Sequence, residues 1–254
     1  MARRVLHDPF FKQAKAEGYL ARSAYKLVQI QEHKRLMRAG DRVLDLGCAP
    51  GAWIQAAGEI VGPSGLVVGI DLQRVDHRFP PTPPVATLEG DIYKTPASVL
   101  LDLARSILPP GSRPLNKFDA VISDMAPNTT GHGDHERSVA LCDHALSMLP
   151  DLLRPGGACT MKIFEGGEYP RFLRDVGRAF ESAKGFKPEA SRSVSREMYI
   201  VATGYRGAPG SKDQTDGEAR LPRRGGDVPS LIGRGKPGQG SEKQRTKPDD
   251  PRTE

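Results

Sequence analysis

The amino-acid sequence predicts an α/β fold in which seven strands form one mostly parallel sheet with helices on both faces. Short apolar runs rich in valine, isoleucine and leucine alternate with helical stretches of roughly 10 to 18 residues, as in chains built from strand–helix–strand units. The runs are almost continuously apolar, which is typical of strands that are buried on both faces. No internal repeat offers a competing architecture.

The first half of the chain carries four predicted strands and two predicted helices. Each strand is a short apolar run bounded by Gly, Pro or Asp, which commonly mark strand ends. In order, these elements are strand 42–47, helix 53–61, strand 66–71, a weaker strand ending at Asp91 after a proline-rich loop, helix 96–107 and strand 118–124.

The second half completes the sheet with two helices and three further strands. Arg154-Pro155-Gly156-Gly157 is a stop signal, because proline and glycine rarely continue a helix. The predicted elements are helix 135–153, strand 158–164, helix 169–184, and a closing pair of strands that runs from Phe186 onward and over 198–204.

The two ends of the chain differ from this pattern. Residues 10–37 carry apolar side chains at helical spacing with basic residues between them, which predicts one basic amphipathic helix. The stretch 207–254 lacks aromatic residues and consists mostly of Gly, Pro and mixed charges, so we expect it to be disordered. The predicted organisation is a basic helical segment at 1–38, an α/β domain at 39–206 and a tail at 207–254.

Positive charge is concentrated at the N-terminus. The chain of 254 residues has a formal net charge of +6, and residues 1–38 contain nine Lys or Arg against three Asp or Glu. A basic segment indicates a polyanionic partner such as RNA, because each cation that neutralises a phosphate releases a counterion. The alternative is a solvated surface helix that only keeps the protein soluble.

Cysteine use and hydropathy indicate a soluble, cytoplasmic protein. Cys48, Cys142 and Cys159 are an odd number without metal-ligand spacing, so we expect a reducing compartment and no disulfide framework. No stretch approaches the ~20 apolar residues that span a membrane. The N-terminus has no signal-peptide apolar region.

The turn after the first strand is typical of a nucleotide site. Gly47 and Gly51 allow the backbone of this turn to approach a ligand closely. Asp71 and Asp91 end the next two strands, where they could accept hydrogen bonds from ribose hydroxyls and from an adenine amine. The turn lacks the G-x-G-x-x-G spacing that binds a pyrophosphate, so a methionine joined to an adenosine fits better than a dinucleotide. The alternative is that these residues only form tight turns.

A lysine lies inside an otherwise apolar strand. Lys162 stands in the run Cys159-Thr160-Met161-Lys162-Ile163-Phe164, where a charge is unfavourable unless it is paired or functional. Asp124 ends the neighbouring strand and is the expected partner. A structural ion pair without catalytic function is the alternative.

Residues from about Gly18 to Tyr205 resemble the RrmJ/FtsJ-type large-subunit ribosomal RNA 2'-O-methyltransferases. The resemblance rests on these segments: Ser23-Ala24-Tyr25-Lys26-Leu27, Asp45-Leu46-Gly47 with Pro50-Gly51-Ala52-Trp53, Ser123-Asp124-Met125-Ala126-Pro127-Asn128, Lys162-Ile163-Phe164 and Ser195-Arg196-Glu197-Met198-Tyr199-Ile200-Val201. It implies a Rossmann-like S-adenosylmethionine-dependent methyltransferase fold at 39–206. It also implies a catalytic tetrad of Lys26, Asp124, Lys162 and Glu197, and cofactor contacts at Gly51, Trp53, Asp71, Asp91 and Asp124.

The chemistry that the resemblance implies is methylation of a uridine ribose in 23S ribosomal RNA during maturation of the large subunit. Lys162 is then the expected proton acceptor, with Asp124 orienting it and Glu197 holding Lys26 or the ribose. We expect a monomer. We also expect that no metal is needed, because the close pair His132 and His135 is better explained by contact with RNA or solvent than by zinc binding. Ala52 departs from the family pattern, in which glycine is usual.

Three other functions stay open at this point. The same tetrad serves enzymes that methylate tRNA or messenger-RNA caps, although no separate cap-binding module is evident. A non-catalytic RNA-binding assembly protein could retain the cofactor pocket, but the presence of all four tetrad residues argues against it. A nicotinamide-dependent oxidoreductase is disfavoured by the spacing of the turn.

Overall fold

The computed structural model describes residues 9–127, 133–191 and 195–207, so the predicted tail lies almost wholly outside it. Within these ranges there are six helices: α1 (Pro9–Glu17), α2 (Ala24–Lys34), α3 (Ala52–Val61), α4 (Ala97–Ser106), α5 (Asp134–Leu152) and α6 (Tyr169–Ala179). The strands are β1 (Arg42–Leu46), β2 (Leu66–Asp71), β3 (Val85–Glu89), β4 (Phe118–Ser123), β5 (Leu153–Phe164), β6 (Phe180–Phe186) and β7 (Glu197–Tyr205).

The seven strands form one sheet in the order β3-β2-β1-β4-β5-β7-β6. The first five strands are parallel, whereas β7 runs antiparallel to both of its neighbours. The predicted mostly parallel, seven-stranded sheet is therefore confirmed. The strand order reverses between β1 and β4, and in parallel sheets ligands bind beyond the carboxyl ends of the strands at such a switch point.

Helices cover both faces of the sheet. Leu44 and Leu46 of β1 belong to the main apolar core, which also contains residues of α4, α5 and α6. On the opposite face a Cβ at Gly69 would contact Ile54 of α3, and α3 in turn packs against α2. Because alternate residues of a strand point to opposite faces, α2 and α3 cover one face and α4–α6 the other. No helix in the described ranges is long and apolar enough to cross a membrane.

The prediction of one helix over 10–37 was wrong, since two helices are present. The chain turns at Gly18, which has a φ of 81°, and the amide of Leu20 donates to Gln55 Oε1 of α3 at 2.8 Å. This turn lets α2 lie against α3 with most of its residues buried. The helix that supplies Lys26 is therefore part of the packed domain and not a basic surface helix.

Helix 169–184 was predicted too long and the strand from Phe186 onward was placed too late, because residues 180–186 form β6. Phe180 to Phe186 pair with β7 in an antiparallel register from Phe180 and Tyr205 to Phe186 and Tyr199. Strand five was predicted too short, since β5 already begins at Leu153, which pairs with Phe118 before an irregularity in the register. The stop signal at 154–157 ends α5 as predicted, but its residues lie within the strand.

Candidate active site

The turn between β1 and α3 passes close to two neighbouring segments, and its glycines make this possible. Gly47 has a φ of 81°, and a Cβ there would overlap Met125 Cγ. Gly51 has a φ of 109°, and its Cβ would lie 2.7 Å from Phe79 Cζ. Both positions therefore require glycine. The sequence predicted that these glycines allow a ligand to approach the backbone. The structure shows that protein side chains also pack closely against them.

Asp71 and Asp91 lie at the carboxyl edge of the sheet, where the sequence placed them. Asp71 accepts hydrogen bonds from two backbone amides, that of Ala49 at 2.9 Å and that of Gln73 at 2.8 Å. Asp91 Oδ1 accepts one from the amide of Tyr93 at 3.0 Å. A carboxylate oxygen has two lone pairs. The backbone therefore orients both side chains while each can still accept a further hydrogen bond.

Asp45 lies on β1 beneath the turn and carries a carboxyl for which the sequence suggested no role. The side chain is fully buried, and neither oxygen has a hydrogen-bond partner among the described residues. Burial, together with the nearby carboxylates of Asp124 and Asp71, raises the pKa of this group well above its usual range. Asp45 is thus a buried carboxyl, favoured in its neutral form, that lies next to the glycine turn.

Lys162 and Asp124 make the contact expected from the sequence. Lys162 Nζ lies 3.0 Å from Asp124 Oδ1 and also donates to the backbone oxygen of Asp124 at 2.5 Å. The Lys162 side chain is only 7% exposed and that of Asp124 is 17% exposed. Lys162 lies on β5, and Asp124 directly follows the neighbouring parallel strand β4. The hydrogen bond to the backbone oxygen and the ion pair with the carboxylate together fix the direction of the amine.

The other two predicted residues form a second pair beside the first. Lys26 Nζ of α2 lies 2.9 Å from Glu197 Oε2, at the start of β7. Tyr199 joins the pairs, because its hydroxyl donates to Asp124 Oδ1 at 2.5 Å while Lys26 Nζ lies 5.8 Å from its ring centroid. The structure therefore brings Lys26, Asp124, Lys162 and Glu197 together at one edge of the sheet.

Tyr199 is a site residue that sequence reasoning missed. It is fully buried, and burial followed by the charge and hydrogen bond of Asp124 raises its pKa well above its ordinary value. The hydroxyl therefore stays protonated and acts as a donor. The available signal was its position two residues after Glu197 in a strand, which places both side chains on one face.

Trp53 packs between α2 and β7. The side chain is 3% exposed, its indole N–H donates to the carbonyl oxygen of Ser23 at 2.9 Å, and its ring stacks on Tyr199 with centroids 5.7 Å apart. These contacts hold the beginning of α3 against the tetrad. The sequence-based contact of Trp53 with a cofactor stays a prediction.

The histidines after β4 were also considered in the sequence. His135 Nδ1 donates to Phe164 O at 2.7 Å, because its Nε2 accepts from the amide of Glu168 at 3.0 Å. His135 therefore ties α5 to the end of β5. His132 lies outside the described residues, and within 9–127, 133–191 and 195–207 no group of three His, Cys, Asp or Glu could hold a metal ion.

Comparison with known proteins gives a consistent result. Curated proteins named ribosomal RNA large subunit methyltransferase E include one from Syntrophobacter fumaroxidans, 47% identical over 78% of this chain and 95% of its own length. Another, from Pseudomonas fluorescens, is 38% identical over 81% of this chain and 93% of its own. The crystal structure of a ribosomal RNA methyltransferase from Plasmodium falciparum matches with a TM-score of 0.62 at 25% identity, covering 75% of this chain and 100% of that one.

Residues 19–205 match the family model described as FtsJ-like methyltransferase. The matched range begins just before α2 and ends with β7, so it contains both charged pairs and the glycine turn. This chain belongs to the FtsJ-like methyltransferase family and has its Rossmann-like methyltransferase fold.

Proposed function

We propose that this chain methylates the ribose 2'-hydroxyl of a uridine in 23S ribosomal RNA of the large subunit, with S-adenosylmethionine as methyl donor. The observation that carries the proposal is the buried pair of Lys162 and Asp124, 3.0 Å apart at the carboxyl ends of β4 and β5, next to the switch point of the sheet. The relatives support the substrate class, since those compared are named for the large-subunit ribosomal RNA.

The residues around the glycine turn fit such a cofactor. S-adenosylmethionine would supply an electrophilic methyl group on a sulfonium centre. Its positive charges suit the orphaned Asp45 carboxyl, because a buried acid without a partner gains most from a cation. The residues proposed to hold the cofactor are Gly51, Trp53, Asp71, Asp91 and Asp124.

Lys162 is the proposed proton acceptor. A neutral lysine amine has two N–H groups and one lone pair, and the carboxylate and backbone oxygens of Asp124 can take both N–H groups. The lone pair is then directed at the ribose hydroxyl. The hydroxyl oxygen forms the new C–O bond as the methyl–sulfur bond breaks, and its proton passes to Nζ. Asp124 stabilises the resulting ammonium, while Glu197 holds Lys26 beside Tyr199.

Methylation assays with labelled cofactor test both substrate and base. Large subunits from a strain that lacks this modification should be labelled, whereas tRNA and capped RNA should not. Lys162→Ala should abolish labelling, and Lys162→Arg should be equally inactive because a guanidinium stays protonated near neutral pH and cannot accept the proton. Preferential labelling of tRNA or caps would replace the proposed substrate, and an active Lys162→Arg enzyme would exclude Lys162 as the base.

The remaining proposals concern the rest of the chain. We infer that α1 contacts RNA phosphates, because Lys12 and Lys15 are exposed on it, while α2 contributes Lys26 to the site. We further infer a cytoplasmic monomer. Light scattering of the purified protein tests the oligomeric state, and fractionation of cells tests the location.

A further inference from the structure

Phe186 extends the active site toward the edge of the sheet. The register pairs Lys162 with Tyr199 and Tyr199 with Phe186, so the three residues form one row across β5, β7 and β6. Directly paired residues of antiparallel strands point to the same face. Because neighbouring strands are about 4.8 Å apart, Phe186 lies roughly 10 Å from Lys162 along the row.

Helix α2 contacts Phe186 in the same way as it contacts Tyr199. Lys34 Nζ lies 5.4 Å from the Phe186 ring centroid, and Lys26 Nζ lies 5.8 Å from that of Tyr199. The His33 ring also packs against Phe186, with centroids 5.3 Å apart at an angle of 44°. Two cation–aromatic pairs thus follow the row, one inside the tetrad and one outside it.

The outer pair is partly accessible, since Phe186 and Lys34 are both half-buried, and it lies among basic side chains. Phe186 is half-buried on β6, which is the last strand of the sheet, so no described strand covers its outer side. Lys187 is exposed and donates to the carbonyl oxygen of Ser195 at 2.9 Å. The basic residues here are His33, Lys34, Lys184 and Lys187, against the acidic residues Glu32 and Glu189. The charge and the aromatic ring together suit a nucleotide.

We propose, on the basis of the proposed function, that Phe186 is a stacking platform for the base of a nucleotide that flanks the methylated one. Lys34 and Lys187 contact the adjoining phosphates. The residues proposed for the cofactor end or follow β1, β2, β3 and β4, so the RNA chain continues from Lys162 in the other direction, across β7 and β6. A base splayed out beside the target finds an aromatic ring of the kind on which single-stranded RNA stacks.

Kinetics on undermethylated large subunits test this platform. Phe186→Leu keeps an apolar side chain but loses the ring, and should raise KM for the subunits about tenfold, within the range for one base–aromatic stack. The kcat at saturating subunits and the affinity for cofactor should not change. Phe186→Trp keeps an aromatic ring and should therefore have a KM for the subunits close to that of the wild type. Binding of a short single-stranded oligouridylate, followed by fluorescence anisotropy, should weaken by a similar factor in Phe186→Leu.

The lysine has a matched control. Lys34→Ala should reduce the slope of log affinity against log salt by about 1, as expected for one lost phosphate contact. Arg178→Ala removes one positive charge from α6, on the opposite face, and should leave the slope unchanged.

The outcomes separate the two proposals. An unlabelled subunit with the wild-type enzyme would contradict the proposed function itself. Labelling by the wild type with an unchanged KM in Phe186→Leu would overturn the platform alone. A fall in kcat without a change in KM would mean that Phe186 only supports Tyr199, and this too would overturn it.

Discussion

At the scale of single residues, Asp124 is the group that contacts both Lys162 and Tyr199. Its carboxylate forms an ion pair with Lys162 and accepts a hydrogen bond from the Tyr199 hydroxyl. Its backbone oxygen accepts a hydrogen bond from Lys162. Rotation of this carboxylate would break both the ion pair with Lys162 and the hydrogen bond from Tyr199, so the three side chains act as a unit. We infer that Tyr199 fixes Asp124 and that Asp124 fixes the direction of the Lys162 amine.

Tyr199→Phe tests this order of positioning. The change removes only the hydroxyl at 2.5 Å from Asp124, and one hydrogen bond to a charged group is worth about 1.5–3 kcal/mol. We expect kcat to fall about 10- to 100-fold in single-turnover methylation, with KM for RNA and cofactor affinity retained. An enzyme with wild-type kcat would show that Asp124 is held without Tyr199.

Asp45→Asn separates stability from cofactor binding. The pKa of Asp45 is raised in the folded protein. Asp45 therefore destabilises the folded state increasingly as pH rises above about 3.9, the pKa of an aspartate in an unfolded chain. The asparagine variant should therefore match the wild type near pH 4 and be more stable by at least about 1 kcal/mol at pH 7. Urea unfolding across this pH range measures the difference. Calorimetry should show weaker binding of S-adenosylmethionine, and a stability difference independent of pH would contradict the account.

At the scale of elements, two central strands were predicted closely, whereas the start of β5 and the whole of the edge strand β6 were not. Strands β1 and β2 lie within one residue of their predicted bounds because strands buried on both faces are continuous apolar runs. The edge strand β6 begins with Phe180-Glu181-Ser182-Ala183-Lys184, which is polar enough to continue a helix pattern. Only its pairing with β7 makes this segment a strand, and the periodicity of a single sequence does not detect strand pairing.

The residues of the active site likewise differ in whether the sequence alone could identify them. Asp124 and Lys162 could be identified because a carboxylate at a strand end and a lysine inside an apolar strand are conspicuous in the sequence. Tyr199 and Phe186 are ordinary strand residues, and their roles depend on the registers of β5, β7 and β6. Asp45 could not be distinguished from a turn residue, since its lack of a partner is a property of the packed structure.

The two exposed lysines of α1 allow a test of that helix. Exchanging both Lys12 and Lys15 for Glu should weaken RNA binding and reduce the salt slope by at least about 2, because two phosphate contacts are lost. The charge-matched control is Arg174→Glu with Arg178→Glu on α6, which should not alter the slope. Affinities for large-subunit RNA at several salt concentrations provide the measurement. Equal effects of the two pairs would indicate that only net charge matters.

At the scale of the whole molecule, Asp119 ties together the strand ends opposite the active site. Its carboxylate accepts from Arg154 of β5 and from Arg113 before β4, each at 2.6 Å, and from the amide of Arg42 of β1 at 2.9 Å. Burial alone would raise the pKa of Asp119, but the hydrogen bonds from Arg154 and Arg42 and the charge of Arg113 outweigh it and lower the pKa below its usual range. The sheet therefore depends on this carboxylate being ionised.

Asp119→Asn should consequently destabilise the protein by about 2–3 kcal/mol near pH 7, because it removes the buried charge that three donors share. Because the pKa of Asp119 is lower in the folded protein, its stabilising effect is fully present above about 3.9, the pKa in the unfolded chain. The effect is lost as pH falls through the pKa in the folded protein. The difference from the wild type should therefore shrink below pH 4. Urea unfolding measures it, with Asp102→Asn as control, since the pair of Asp102 and Arg105 is exposed and contributes at most about 1 kcal/mol. Equal destabilisation by both variants would show that Asp119 is no more than another surface ion pair.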